Sequence, residues 1–228
     1  MNKFINIVRR AFFGVLCTNV LSFSIGISAM CPRGSEPCAN HISTTCKTWQ
    51  EVNDTVAQLQ YSMGDFPVAL IGYDGTLVTD NAVDSDAVKC VKNFTNYGLS
   101  SFVITAGKLL EHRSRMKKLQ RVGLSNEIAY KSELFNLKKT GYDVVIKEST
   151  GFRAPEYKFR YMDGLLYSLY YYDRASKGKA FDKFVRYFKQ SPSYAIMIDN
   201  NNYNLCAVAL ACKAHKISCH TILVDFTK

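Results

Sequence analysis

The chain has 228 residues, of which 47% are hydrophobic and 13% are aromatic, so it is long enough and apolar enough to bury a substantial core. This composition excludes an intrinsically disordered chain. The formal net charge of +10 favours acidic partners in general, such as nucleic acid, anionic lipid or phosphorylated ligands, but no long run of lysine and arginine selects one of them.

The first 29 residues have the pattern of a targeting segment. A positive front of Lys3, Arg9 and Arg10 precedes a mostly apolar stretch over residues 11–29, which ends in small residues. The pattern predicts a signal peptide over residues 1–29 and export to the periplasm or beyond after cleavage. The apolar stretch is near the lower limit for spanning a bilayer, so an uncleaved N-terminal membrane anchor is the alternative.

Eight cysteines are present, and three of them, Cys31, Cys38 and Cys46, cluster in a polar segment. We expect residues 30–46 to form an irregular linker. In an exported chain, Cys46 can pair with Cys31 or Cys38. A zinc site that combines these cysteines with His41 is the competing interpretation, although the spacings fit no standard zinc finger.

The first half of the remaining chain alternates between apolar runs and helical periodicity. Residues 47–62 are predicted to form an amphipathic helix, and 67–73 a buried strand. A helix around residues 87–94 follows, and Gly98 can end it. A second buried strand is predicted over 101–105, and a basic helix over 109–122.

In the second half, Asp163-Gly164 separates two apolar runs, which is a strong signal for a two-residue hairpin turn. The predicted elements there are a strand at 142–147, hairpin strands at 157–162 and 165–170, a helix at 177–188, a strand at 194–199, a helix at 205–214 and a strand at 219–226.

Strands that alternate with helices predict an α/β domain over residues 47–228, in which helices cover both faces of a parallel sheet. Asp74, Thr105 and Asp199 each stand at the end of a predicted strand. Ligands of such sheets bind at the carboxyl ends of the strands, so these three side chains are expected to converge on one crevice. The sequence therefore predicts a phosphate or metal site there.

Four stretches carry a resemblance to haloacid-dehalogenase-like (HAD) phosphohydrolases over roughly residues 65–226. They are Asp74-Gly75-Thr76-Leu77, Met162-Asp-Gly-Leu-Leu166, Ser176-Lys-Gly178 and Met197-Ile-Asp-Asn200. The order of these stretches most closely resembles a family of exported bacterial HAD-like proteins. The resemblance implies a Rossmann-type sheet with a small inserted hairpin or cap region, at about residues 108–175, of the kind that sets substrate choice.

The resemblance also implies roles for single residues. Asp74 takes the place of the general acid/base, and its backbone carbonyl helps to hold Mg²⁺. Thr105 takes the place of the hydroxyl that binds the phosphoryl oxygens, and Lys177 that of the lysine that offsets negative charge. Asp199 takes the place of a metal ligand, and Asn200 replaces a second acid.

The main departure from the family pattern is Gly72, which stands where HAD phosphatases carry their nucleophilic aspartate. A glycine supplies no carboxylate to attack phosphorus. Mg²⁺ prefers carboxylate oxygens, so losing an acid at Gly72 and another at Asn200 predicts a weakened metal site formed by Asp74, Asp199 and Asn200. With Lys177 nearby, a site of reduced negative charge is also able to hold a phosphate without metal.

Three functions remain open from the sequence. The first is a catalytically impaired HAD-like protein that binds a phosphorylated ligand or a protein partner. The second is a weak or atypical magnesium-dependent phosphatase that uses Asp74 as acid/base. The third is an exported interaction module that engages an anionic surface through the basic helix at 109–122. Sequence-specific nucleic-acid binding is not expected, because no segment resembles a helix-turn-helix or a zinc reader.

Overall fold

The alternation of strands and helices is confirmed in the computed structural model, which describes residues 42–125, 128, 144–147, 158–168 and 176–226. Two short 3-10 turns, Gln60–Ser62 and Leu109–Glu111, accompany five α-helices and ten strands in these ranges. The strands are β1 Thr44–Cys46, β2 Pro67–Gly72, β3 Val78–Thr79, β4 Ala82–Val83, β5 Ser100–Thr105, β6 Val144–Lys147, β7 Lys158–Met162, β8 Leu165–Ser168, β9 Tyr194–Asp199 and β10 Ser218–Val224. The helices are α1 Trp49–Leu59, α2 Ser85–Asn96, α3 His112–Arg121, α4 Ser176–Val185 and α5 Asn202–Ala214.

Eight of the strands form one sheet, in the order β1-β10-β9-β2-β5-β8-β7-β6. The six strands from β1 to β8 in this order are mutually parallel, whereas β7 runs antiparallel to both of its neighbours. When β2, β5, β8, β9 and β10 are counted one to five along the chain, their spatial order is 3-2-1-4-5. This is the order of a doubly wound, Rossmann-like sheet, and its switch point lies between β2 and β9.

Both faces of the sheet are covered by helices, which explains why the central strands are continuous apolar runs. All six residues of β2 are buried. Ala69 and Ile71 pack into one core cluster with α1, α2 and α3, while Val68 and Leu70 pack into a second cluster with α4 and α5. Alternate residues of one strand thus pack into two different cores, one on each face of the sheet. Polar side chains are found at the strand ends instead.

The hairpin predicted at Asp163-Gly164 is present, with φ of 48° at Asp163 and 84° at Gly164. Positive φ at both central residues is the geometry that favours Asp-Gly in tight hairpins. Its strands do not form a separate cap, however, because β8 pairs in parallel with β5 and extends the central sheet. The residues of β8 are buried and bond to β5, so this hairpin belongs to the sheet. The rest of the predicted insertion at about residues 108–175 lies largely outside the described residues and stays a prediction.

The segment predicted as a linker over residues 30–46 also differs at its end. Thr44–Cys46 is β1, which lies parallel to β10 at the edge of the sheet. Cys46 is a buried free thiol, so it does not form the pairing with Cys31 or Cys38 that an exported chain would allow, and those two cysteines lie outside the described residues. Burial raises the pKa of Cys46, which keeps the thiol protonated.

No helix within the described ranges is long and apolar enough to cross a membrane. Residues 1–29, which carry the predicted signal peptide, lie outside these ranges.

Candidate functional site

The strand ends that the sequence singled out meet at the switch point of the sheet. After Gly72, the chain turns through Tyr73 and Asp74, and Gly75 adopts a φ of 74°. The turn closes when Leu77 N donates to Gly72 O at 3.2 Å. It then continues into the small antiparallel hairpin of β3 and β4, which the sequence did not predict. This turn leaves the Asp74 side chain 60% exposed at the edge of the crevice.

A buried ion pair lies on the β9 side of the switch point. Lys177, in the first turn of α4, donates from Nζ to Asp199 Oδ2 at 2.7 Å, and the two side chains are 6% and 0% exposed. Asp199 Oδ1 also accepts from Asn201 N and from Asn204 Nδ2, both at 2.9 Å. We call Lys177, Asp199, Asn201 and Asn204 the Asp199 group. Three donors hold its carboxylate in one orientation.

The space beside Gly72 is taken up by this group. A Cβ placed on Gly72 would lie 2.5 Å from Asp199 Oδ2 and 2.9 Å from Thr76 Oγ1. Such distances are shorter than van der Waals contact, so a side chain at position 72 requires Asp199 or Thr76 to move. Position 72, where the resemblance to HAD proteins would place a nucleophile, therefore faces a carboxylate that is already held in place.

A second polar group lies on the β5 side of the switch point. Arg115 of α3 donates from Nη1 to Asp74 Oδ2 at 3.0 Å and to Thr105 Oγ1 at 2.8 Å. Its Nη2 donates to Glu111 Oε2 at 2.7 Å. The guanidinium also lies over the ring of Tyr73, 4.5 Å from its centroid. We call Tyr73, Asp74, Thr105, Glu111 and Arg115 the Arg115 group.

The charges of the Arg115 group are mutually stabilising. Burial lowers the pKa of Arg115, but the hydrogen bonds to Glu111 and Asp74 outweigh this effect and leave the pKa raised. Arg115 itself is 7% exposed, whereas Asp74 and Glu111 are 60% and 51% exposed. The guanidinium is therefore a buried cation with two acids at the solvent boundary.

Arg115 is the site residue that sequence reasoning missed. A Cβ placed on Gly107 would overlap Arg115 Nη2, so the guanidinium depends on the absence of a side chain at position 107. In the fold, α3 therefore places a cation beside this glycine. The spacing of Glu111 and Arg115, four residues apart on one helix, was the available signal.

A short chain of hydrogen bonds lies beside the Arg115 group. His112 Nδ1 lies 3.0 Å from the hydroxyl of Tyr167, and His112 Nε2 lies 3.1 Å from Asp163 Oδ2. Tyr167 pairs with Thr105 in the sheet register. Burial raises the pKa of Tyr167, so its hydroxyl stays protonated. Asp163 thus reaches α3 but not the crevice.

Four of the six residues predicted from the sequence divide between the two groups, and the other two, Gly72 and Asn200, lie beside them. Thr105 bonds to Asp74 at 3.1 Å, while Lys177 pairs with Asp199. Thr105 and Lys177, which the resemblance assigns to one phosphoryl group, therefore belong to different groups. Thr76 joins Asn200 to the turn after Gly72, because Asn200 N donates to Thr76 Oγ1 at 3.0 Å and Thr76 Oγ1 donates to Asn200 Oδ1 at 3.3 Å.

The donor set does not suit Mg²⁺. Gly72 supplies no carboxylate, and each of the acids Asp74 and Asp199 is already bonded to a cation. Asn200 offers a neutral oxygen that accepts from Thr76. Across the described part of the chain, no cluster of three or more His, Cys, Asp or Glu side chains is arranged to hold a metal ion. Mg²⁺ would have to displace Arg115 or Lys177 in order to gain carboxylate ligands.

Comparison with known proteins places the chain in a family. The family model described as "Protein of unknown function (DUF2608)" matches residues 66–224, which include β2, β5, β9 and every residue of the two polar groups. Neither the curated proteins nor the solved structures gave a match. Because the family match spans more than half of the chain, this protein belongs to the DUF2608 family.

Proposed function

We propose that this protein is a HAD-like phosphohydrolase homologue that has lost catalysis and acts by binding. The proposal is supported by the placement of Asp74, Thr105 and Asp199 at the ends of β2, β5 and β9, around the switch point of a doubly wound sheet. It also explains why the HAD-like stretches occur in order while the nucleophile position is a glycine.

The observation that carries the proposal is the surroundings of Gly72. A catalytic carboxylate at this position needs open space in line with a phosphoryl group. Here the space holds Asp199 Oδ2, 2.5 Å from a Cβ at position 72, and Asp199 is held in turn by Lys177. The site has therefore lost both the nucleophile and the room for one.

Among the ligands left open by the sequence, a phosphorylated small molecule is disfavoured in the crevice. The cations that would bind it, Arg115 and Lys177, are already paired with acids. With all groups ionised, three acids (Asp74, Glu111 and Asp199) face two cations, so the net charge of the two groups is −1. A phosphate dianion would be repelled by this charge, which favours binding through the outer surface of the protein instead.

The predicted signal peptide at residues 1–29 gives the setting of this proposal. We propose that the chain is exported, so that its partner is a protein or surface met outside the cytoplasm. The retained membrane anchor is the alternative form of the same proposal, with the domain displayed on a membrane.

The test is magnesium-dependent hydrolysis of an aryl phosphate by the full chain, measured beside Asp74→Asn. This variant keeps the shape of the side chain and removes the charge, and because Asp74 is exposed, we expect the variant to fold like the wild type. We expect both proteins to be inactive, with a known phosphatase as positive control and circular dichroism as the check on folding. Thermal unfolding with inorganic phosphate should show no stabilisation of either protein.

The opposite result has a specific meaning. Hydrolysis that requires Mg²⁺ and is lost in Asp74→Asn would overturn the proposal in favour of an atypical phosphatase with Asp74 as acid/base. A phosphate-induced rise in Tm that disappears in Lys177→Met would instead show that a phosphorylated ligand displaces Asp199 from Lys177.

A further inference from the structure

The exposed face of α3 carries a stripe of cations. Arg113, Lys117 and Arg121 are four residues apart and exposed, so they lie on one side of the helix in successive turns. Lys108 and Lys118 flank them. None of these five cations forms an ion pair with another residue in the ranges that the structure describes. We call these five residues the basic stripe.

The acid nearest to the stripe in the sequence does not neutralise it. Glu111 is bonded to the buried Arg115 on the opposite side of the helix. Met116 and Leu119 fix that opposite side against the core, so α3 cannot rotate to bury the stripe. A further cation, Lys92 of α2, approaches Gly123 just beyond the end of α3 and extends the positive surface.

The stripe costs α3 stability, so helix formation does not explain it. Like charges four residues apart, such as Arg113 and Lys117, repel each other on a helix. An anionic partner would relieve this repulsion, which is the charge complementarity that the surface offers.

An exposed apolar side chain lies at the tip of the stripe. Leu110, in the 3-10 turn that leads into α3, is 95% exposed and is flanked in sequence by Lys108 and Arg113. An exposed leucine among lysines and arginines suits the interface of a bilayer, where the apolar group enters the headgroup region and the cations meet anionic lipids. A nucleic-acid surface would instead favour aromatic side chains that stack on bases, and α3 has none.

We propose that the basic stripe and Leu110 form a docking surface for a bilayer that contains anionic phospholipid. The inference rests on the proposed function only in giving the protein a binding role, and it names the surface and the chemistry of its partner. It does not involve the crevice, because the two polar groups there have no part in the contact.

The experiment is cosedimentation of the full chain with phosphatidylcholine vesicles, with and without phosphatidylglycerol. All variants keep residues 1–29, so that any contribution of this segment is common to them. We expect the wild type to bind preferentially to the vesicles with phosphatidylglycerol, and less strongly as salt rises. Reversal of Arg113, Lys117 and Arg121 to Glu should lower the affinity for these vesicles by about 100-fold or more, at about fivefold for each cation.

Two matched controls distinguish binding through this surface from the effects of net charge and of exposed apolar side chains elsewhere. Reversal of Lys189, Lys213 and Lys216 to Glu changes the net charge equally on exposed residues elsewhere and should leave most of the binding intact. Leu110→Ser should weaken binding several-fold, whereas Tyr61→Ser, at a side chain that is 90% exposed, should not.

Several results would overturn the inference. They are equal binding to both kinds of vesicle, equal losses in the two triple variants, or tighter binding to duplex DNA than to anionic vesicles. The hydrolysis assay is independent of this measurement. Vesicle binding by an active phosphatase would refute the proposed function alone, and failure to bind vesicles by an inactive protein would refute this inference alone.

Discussion

The two polar groups at the switch point show two ways of holding an acid next to a cation. In the Asp199 group, both members of the ion pair are buried, and a backbone amide and a side-chain amide donate further hydrogen bonds to the carboxylate. In the Arg115 group, the cation is buried but its acids Asp74 and Glu111 are more than half exposed. The first group is therefore part of the core, whereas the second lies at the rim of the crevice.

The largest difference in stability between the two groups is expected when the same substitution, aspartate to asparagine, is made in each. Asp199→Asn leaves the buried ammonium of Lys177 without a counter-ion, and we expect it to lower the free energy of unfolding by about 3–5 kcal/mol. Asp74→Asn should lower it by at most about 1 kcal/mol, because solvent reaches that carboxylate. Urea unfolding at neutral pH measures both. Equal losses would mean that the two groups contribute alike, contrary to their burial.

The second prediction concerns the space beside Gly72. Gly72→Ala introduces a Cβ 2.5 Å from Asp199 Oδ2, and we expect this overpacking to cost about 1–3 kcal/mol. The cost should be smaller in an Asp199→Ala background, since the opposing carboxylate is then absent. A double-mutant cycle in urea measures the coupling. Strictly additive losses would show that the residue 72 side chain and Asp199 do not compete for space.

The third prediction breaks the Arg115 group. Arg115→Met keeps much of the side-chain volume and removes the ion pairs, and we expect a loss of about 1–2 kcal/mol because Asp74 and Glu111 can be rehydrated. Gly107→Ala should have a similar effect, since its Cβ displaces the guanidinium.

The control for this prediction is Arg113→Met, which changes an exposed arginine on the same helix and should be nearly neutral. The double variant of Gly107 and Arg115 should lose less than the sum of the single losses, because both changes remove the same contacts. If the two losses add, the guanidinium does not depend on the glycine, and our explanation of Gly107 is incorrect.

Local sequence signals predicted the parts of this fold that are set by neighbouring residues. Asp163-Gly164 predicted its hairpin because the turn requires positive φ at two successive residues. Asp74, Thr105 and Asp199 were predicted at strand ends because each directly follows an apolar run. The sheet and its covering helices followed from the same periodicity.

The remaining features depend on contacts between distant segments. Strand β1 has three residues, which is too short to give a periodic pattern, and its partner β10 is the last strand of the described chain. The pairing of β8 with β5 was not predicted, because a hairpin signal does not indicate which strand of the sheet the hairpin will join. In the sequence, Arg115 is one of several cations on a basic helix. Its place in the site depends on the packing of α3 against Gly107, which the sequence does not show.

The smallest expected effect at neutral pH comes from Tyr73, and it distinguishes the two groups by their response to alkali. Burial raises the pKa of Tyr73 to about 12, and its hydroxyl has no hydrogen-bond partner among the described residues. Between pH of about 10 and about 12, the unfolded chain has lost this proton while the folded chain keeps it, so stability falls as pH rises. The slope from this residue is at most about 1.4 kcal/mol per pH unit.

Tyr73→Phe should be nearly neutral at pH 7 and should remove that part of the alkaline loss of stability. Tyr61→Phe, on an exposed ring, should change neither the stability at pH 7 nor the alkaline loss. Urea unfolding across this pH range measures the effect. An unchanged slope in Tyr73→Phe would place the alkaline sensitivity outside the Arg115 group, in other buried tyrosines such as Tyr167.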